Sequence, residues 1–253
     1  MERWVAWVCS PDVLWAWMGL ALAVFGLLFW ITAPYGRHSR AGWGPSVPAP
    51  VGWFLMEIVT LVGMGACFIL GSNRQDGAVV LGLLYAGHYL YRSLYYPLAA
   101  SPSAAPVSLS IVASSIGFNV VNSTILGGWI FMVSTVDPPL LSWRGCVGLL
   151  LFFVGFFIHF RSDSILRNLR RDNGPGYHIP VRFLYRWVSC PNYLGEILQW
   201  IGFAVLIDAL AGWTFAVWTV ANLVPRALIH HRWYRERFDD YPAERRAIIP
   251  GII

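Results

Sequence analysis

Val51-Gly-Trp-Phe-Leu-Met-Glu57-Ile-Val-Thr-Leu-Val-Gly-Met-Gly-Ala-Cys-Phe-Ile-Leu-Gly71 is a run long and apolar enough to cross a bilayer, and it contains one carboxylate, Glu57. A charge at membrane depth costs at least ~2.5–3.5 kcal/mol, so it persists mainly where a protein-lined cavity uses it. Glu57 has no partner within its own run. It either finds a counter-charge on another helix or gives up its charge. The same conflict recurs near the end of the chain, at Ser189-Cys-Pro-Asn-Tyr-Leu-Gly-Glu196 and Pro225-Arg-Ala-Leu-Ile-His-His-Arg-Trp-Tyr234. A polar cavity inside a helical membrane protein is the feature that any functional reading must explain.

Composition supports that class. The chain has 253 residues, 57% hydrophobic and 12% charged, with mean hydropathy +0.56. Soluble domains carry roughly 25% charged residues. All 18 basic residues are arginine and the net charge is +5. In a membrane protein such an excess marks cytoplasmic loops, so nucleic acid is not an expected partner. The four cysteines, Cys9, Cys67, Cys146 and Cys190, are widely spaced and form no CxxC pair. They suggest neither a zinc site nor a disulfide framework, and no metal is expected.

Outward from Glu57, periodicity and breakers predict seven spans, at about 12–34, 51–71, 78–96, 107–134, 143–163, 191–210 and 212–230. The fifth extends as a stalk to about 171, and the seventh continues as a polar stretch to 238. Pro34 to Pro50, Gly71 to Gly77, the Ser/Ala/Pro run from Pro97 to Pro106, Asp137-Pro-Pro and Asp172-Asn-Gly-Pro-Gly176 are the breakers. The fold class is therefore all-α and polytopic, one membrane domain over 1–253, with no Rossmann unit. Seven spans place fifteen arginines on the side of the C-terminus and three (Arg3, Arg74, Arg144) on the other. The C-terminus is thus expected in the cytoplasm: at the inner membrane of a bacterium, or the endoplasmic reticulum of a eukaryote.

Four polar groups fall at helical spacing. His159, Asp163, Arg167 and Arg170 share one face. They form either an ion-pair stripe at a membrane exit or, with the Gly-Pro-Gly loop beside them, a phosphate clamp. Arg226, His230 and Tyr234 repeat every four residues and suit a long charged ligand such as a dinucleotide. Asn192, Glu196 and Gln199 lie on one face behind Pro191. Glu196 there is either a capping carboxylate or, with Asn192, a partner for a carboxamide. Glu57 with His88, Tyr89 and Arg92 reads as a structural Glu–Arg pair or as a proton-donating site. No GxGxxG, Walker A, HExxH or GxSxG motif occurs in a usable context.

These residues also carry a family resemblance. Gly176-Tyr-His-Ile-Pro180, Ser189-Cys-Pro-Asn-Tyr-Leu-Gly-Glu-Ile197, Asn222-Leu-Val-Pro-Arg-Ala227, His230 to Tyr234, Asp240-Tyr-Pro242 and Ile249-Pro250 resemble the C-terminal signature of the steroid 5α-reductases, most closely the plant members. Trp53-Phe-Leu-Met-Glu57 and His88-Tyr-Leu-Tyr-Arg92 match more thinly but in register. The resemblance implies a seven-helix enzyme that uses NADPH to reduce the Δ4 double bond of a 3-oxo steroid. Glu57 and Tyr89 would hold the C3 carbonyl and stabilise the developing oxyanion while hydride reaches C5. Cofactor contacts would fall on His159, Asp163, Arg167, Arg170, Tyr177, Asn192, Glu196, Arg226, His230, Tyr234 and Arg245, with Arg37 and Arg92 as further phosphate partners.

The helices up to about 135 would form the steroid pocket, with Trp53, Met56, Phe118 and Asn222 in its wall. Those from about 143 to 253 would hold the nucleotide. Met56 stands where animal members carry glutamine, His159 where they carry asparagine, and Asn222 where they carry phenylalanine. A lipophilic enone substrate, membrane lipid and a monomeric state are expected. The alternatives are a membrane methyltransferase of the isoprenylcysteine type using S-adenosylmethionine, whose usual Arg-His-Pro is here Ser189-Cys-Pro191, and a related enoyl or polyprenol reductase.

Overall fold

A computed structural model describes residues 2–99, 105–174 and 176–253. Pro175 and most of the Ser/Ala/Pro breaker between Pro97 and Pro106 lie outside the described residues. The remainder is mostly helical. A short helix α1 (Glu2–Val8) leads at a 49° bend into α2 (Pro11–Leu27). Then come α3 (Ala49–Leu70), α4 (Asp76–Leu90), α5 (Tyr96–Leu98), α6 (Leu109–Gly128), α7 (Trp143–Asn173), α8 (Pro191–Ile207) and α9 (Leu210–Arg237). A π-helical turn, Tyr91–Tyr95, joins α4 to α5, and another, Trp129–Val133, ends α6. The only sheet among the described residues is two residues per strand, β1 (Ser46–Val47) antiparallel to β2 (Val107–Ser108).

All seven expected rods are present, with shifted ends. The first stops at Leu27, and turns occupy the stretch up to Tyr35 that the apolar pattern assigned to helix. Helix α1 was not expected. The fourth rod starts at Leu109, because Val107 and Ser108 pair with the segment before α3. The fifth runs on to Asn173, beyond the expected stalk, where Gly174 takes φ +80 and turns the chain. Among the described residues three helices are long and apolar enough to cross a membrane, α3, α6 with its π turn, and α7. A fourth joins them if the bent pair α1–α2 is one span.

The core explains where the polar residues end up. Tyr85 and Tyr89 of α4, Phe152 of α7, Trp200 and Phe203 of α8 and Phe215 of α9 form one buried aromatic cluster. Beside it, α7 and α8 approach so closely that glycine is required along the seam. A Cβ on Gly155 would stand 2.8 Å from Cα of Gln199, and one on Gly202 2.7 Å from the carbonyl oxygen of Gly148. Gly148 and Gly155 on α7 thus face Gly202 and Gly195 on α8, each pair seven residues apart. Small residues let helix backbones touch without a hydrophobic driving force, as membrane helices require. One turn beyond the last contact, the seam opens onto His159 and Asp163 of α7 and Asn192 and Glu196 of α8.

Candidate functional site

The open end of the seam is one wall of a cavity of about 540 Å³, well within the size range of small-molecule sites. Its lining comes from α3 (Trp53), the π turn and α5 (Arg92, Tyr96), α7 (His159, Asp163, Arg167, Arg170), α8 (Asn192, Glu196), α9 (Arg226, His230, Tyr234), and two loops carrying Tyr35, Arg37 and Tyr177. Twelve of the thirteen residues expected to contact a cofactor therefore share one cavity. Arg245 does not line it. Arg245 is buried behind α9 with its guanidinium 5.0 Å over the Tyr241 ring, on a C-terminal segment that pairs with Trp187–Cys190.

The α7–α8 corner is a polar network in which His159 Nε2 is left without a hydrogen-bond partner. The Asn192 amide donates to Asp163 Oδ1 at 3.2 Å. His159 Nδ1 lies 3.2 Å from the Asn192 carbonyl oxygen and 3.6 Å from Glu196, and its Nε2 lies 3.6 Å from Asp163. Tyr91 donates to Asp163 Oδ2 at 3.4 Å and accepts from Arg167 at 3.0 Å. His88 is 3.1 Å from Oε1 of Gln199, behind the wall.

The opposite corner is cationic and aromatic. Arg226 lies 3.6 Å over the Tyr35 ring, donates from Nε to the Tyr193 hydroxyl at 3.1 Å, and donates from Nη2 to the Tyr35 carbonyl at 3.1 Å. Arg37 is caged by Tyr177, Trp233 and Tyr234 at 5.2, 5.0 and 4.7 Å, and donates to the Tyr234 hydroxyl at 3.4 Å. His38 stacks on His230 with ring centres 5.0 Å apart. Burial, reinforced by the charges of Arg226 and Arg37, pushes His38 down to about 4. Burial pushes the Cys190 thiol, at the same corner, up to about 12, so it stays protonated.

Charge decides what such a cavity takes. Arg92 is matched by Glu57, whose Oε1 accepts from Nη2 at 3.0 Å. The remaining lining arginines, Arg37, Arg167, Arg170 and Arg226, face two carboxylates, Asp163 and Glu196. Arg37 Nη1, His38 Nε2 and His230 Nε2 are buried without a hydrogen-bond partner. A surplus of positive charge with unpaired donors suits an anion.

The expected catalytic pair lies elsewhere. Glu57 is buried beside the cavity and connects to it through Arg92, whose guanidinium sits between Trp53 (4.9 Å) and Tyr96 (5.0 Å). Tyr89 is packed in the aromatic core against Tyr85 (ring centres 4.5 Å apart) and Trp200. Of the expected pocket residues only Trp53 lines the cavity. Met56 is buried with Ala49, Val107 and Val112. Phe118 packs between Trp17 and Trp218, and Asn222 donates to the Trp218 carbonyl of its own helix. Tyr35, His38, Tyr91 and Tyr96 had no signal in local spacing. Each meets its partner across a loop or from a different helix.

An arginine-walled cavity sunk among apolar helices fits a membrane protein and suits an anionic ligand. Residues 105–253 match the family model described as 3-oxo-5-alpha-steroid 4-dehydrogenase. The chain is 38% identical over 244 residues to the steroid 5-alpha-reductase DET2 of Gossypium hirsutum, covering 92% of this chain and 93% of that protein. It is 32% identical over 241 residues to the 3-oxo-5-alpha-steroid 4-dehydrogenase 1 of Bos taurus (92% and 93% covered), and 33% identical over 253 residues to the 3-oxo-5-alpha-steroid 4-dehydrogenase 2 of Macaca fascicularis (96% and 98% covered). The chain belongs to the 3-oxo-5-alpha-steroid 4-dehydrogenase family of oxidoreductases, which act on a carbon–carbon bond.

Proposed function

We propose that the protein is a membrane-embedded, NADPH-dependent reductase that converts a 3-oxo-Δ4 steroid to its 5α-dihydro form. The observation that carries this reading is the arginine surplus of the 540 Å³ cavity, in a chain whose family reduces steroids. The side chains fit an anionic dinucleotide. Arg37, Arg170 and Arg226 would neutralise phosphates by forked hydrogen bonds, with Arg167 and Arg92 behind them. Tyr177 and Tyr234 offer ring faces, and the Asn192 amide with the Glu196 carboxylate suits a carboxamide. Asp163, held by Asn192 and Tyr91, would fix this corner. When bound, NADPH supplies a hydride from its nicotinamide ring.

Glu57, in its protonated form, and Tyr89 would donate hydrogen bonds to the C3 carbonyl oxygen of the steroid. Reduction at C5 throws negative charge onto that oxygen, and hydrogen bonds formed there lower the barrier most. Arg92 bridges Glu57 to the cavity and would keep its carboxyl aimed. The steroid is almost wholly apolar, so its affinity would come from burial against the helices before about residue 135, with the nucleotide held by residues from about 143 onward. We further propose that all seven rods cross the membrane, that the C-terminus and the cavity mouth face the cytoplasm, and that the protein acts as a monomer. The fifteen-to-three arginine distribution supports this orientation.

The test is purified protein in detergent with NADPH and a panel of enones, read by mass spectrometry. Products heavier by two hydrogens are expected. Methyl transfer from S-adenosylmethionine, or no reduction of any enone, would overturn the reading.

A further inference from the structure

Beyond the cavity, one surface feature stands at the level where α7 leaves its apolar stretch. Phe153 and Phe157 are exposed on α7, and Arg161, one turn further on, is exposed as well. Long apolar side chains followed at once by an exposed arginine mark the position of a membrane–water boundary. The chain returns to this level after α7. Phe183 packs edge-on against Phe157 with ring centres 6.1 Å apart. Phe183 takes φ +58, a left-handed conformation that a bulky residue rarely adopts. The turn Phe183–Arg186 thereby becomes a hook folded onto α7.

The hook has an amphipathic make-up that the protein itself does not satisfy. Val181 is 63% exposed and Trp187 51%. Arg182 and Arg186 are exposed as well, with the Arg186 guanidinium 5.3 Å over the Trp187 ring. No carboxylate occurs in the sequence between Asp172 and Glu196. Among the described residues none of Arg161, Arg182 and Arg186 has an ion-pair partner within 4 Å. Three unmatched cations thus sit beside exposed aromatic and aliphatic side chains at the boundary.

We propose that this hook binds the headgroup of an anionic glycerophospholipid, with the phosphate on Arg161, Arg182 and Arg186 and the acyl chains along the Phe153–Phe157 face of α7. Three features argue for a lipid rather than a free phosphate. The cations are solvent-exposed, the neighbouring surface is apolar, and Trp187 is placed as an interfacial anchor. Near an anionic membrane each arginine contributes about fivefold in affinity, so three together should give on the order of a 100-fold preference for an anionic over a zwitterionic lipid. The hook lies outside the cavity, so the inference does not depend on which substrate is reduced.

The test is native mass spectrometry of the full-length protein released from nanodiscs containing equal phosphatidylglycerol and phosphatidylcholine. Wild type is expected to retain phosphatidylglycerol on the order of 100-fold over phosphatidylcholine. The Arg182→Gln/Arg186→Gln variant, which leaves Arg161, should fall to about a fivefold preference at an unchanged melting temperature, and Arg182→Lys/Arg186→Lys should keep most of the wild-type preference. Arg226→Gln, which alters the cavity wall, should retain lipid as wild type does. Glycerol phosphate added in excess should not displace the lipid. The proposal is overturned by an undiminished preference in the double glutamine variant, by loss in Arg226→Gln instead, or by displacement with glycerol phosphate.

Discussion

The two sides of the bundle differ in how they treat their charged groups. On the α7–α9 side, arginines and carboxylates line an open cavity and several buried donors have no protein partner. On the α3–α4 side, Glu57 is closed into an ion pair with Arg92, and Tyr89 is locked in an aromatic core. The first arrangement is that of a site built to receive a polar ligand. The second is that of groups packed in the interior, where a hydrogen bond is electrostatically stronger than in water. On the proposed reading, one side grips the nucleotide and the other acts on the ketone, with Arg92 belonging to both.

The largest effect should come from the α3–α4 side. Glu57→Gln keeps the shape but removes the carboxyl that would carry the proton in the substrate complex, and is expected to lower steroid turnover by at least about 100-fold. NADPH binding measured by fluorescence should be largely retained, because the glutamine carbonyl can still accept from Arg92. Unchanged turnover would remove Glu57 from the chemistry and erase the distinction between the two sides.

On the open side, Arg226→Gln should raise the dissociation constant for NADPH roughly 10- to 100-fold, the worth of a charged hydrogen bond. Arg170→Gln should do the same by a smaller factor. If either arginine contacts the 2′-phosphate, its loss will be smaller for NADH, and titrations with both nucleotides would locate that contact.

A third variant probes the seam that sets the two polar faces against each other. Gly155→Leu would drive a side chain into the backbone of α8 near Gln199. Overpacking of this kind costs about 1–3 kcal/mol, read as a lower melting temperature in detergent. Nucleotide binding should weaken along with it. A stable Gly155→Leu protein with wild-type binding would show that the close approach is not needed to build the site.

The smallest effect is in pH dependence. His38 is held at about 4 against an ordinary value of 6.5, by burial and by Arg226 and Arg37. Below pH 6.5 the unfolded chain takes a proton that the fold refuses until about pH 4. Its contribution to stability is therefore present above pH 6.5 and falls away as the pH drops toward 4. Thermal melts across that window should flatten slightly in His38→Gln. Added NADPH should flatten them in wild type, because a bound phosphate would favour the protonated ring.

Much of this was legible from spacing alone. His159, Asp163, Arg167 and Arg170 repeat at helical intervals, as do Arg226, His230 and Tyr234, and both stripes meet in one cavity. The rods were visible too, because each long apolar run has breakers at its ends. What stayed hidden depends on partners distant in sequence. Tyr35 meets Arg226 from across 191 positions, and His38 stacks on His230. No local pattern encodes either contact. The π turn at Tyr91–Tyr95 was equally invisible, yet Arg92 within it and Tyr96 just beyond it form one cage with Trp53. Such turns arise from tertiary packing and often occur at functional sites. Helix α1 escaped because its seven residues bury only Val5 and Val8, too short a stripe for a periodic reading to find.

The central claim is that the arginine-walled cavity delivers electrons from a nucleotide to a lipophilic enone. The most direct measurement is isotope transfer: purified protein, NADPH carrying deuterium at the transferable position of its nicotinamide ring, and a 3-oxo-Δ4 steroid. The account predicts a product with one deuterium at C5 and one solvent proton at C4. A reduced product without deuterium, or no reduced product from protein that binds NADPH, would contradict it.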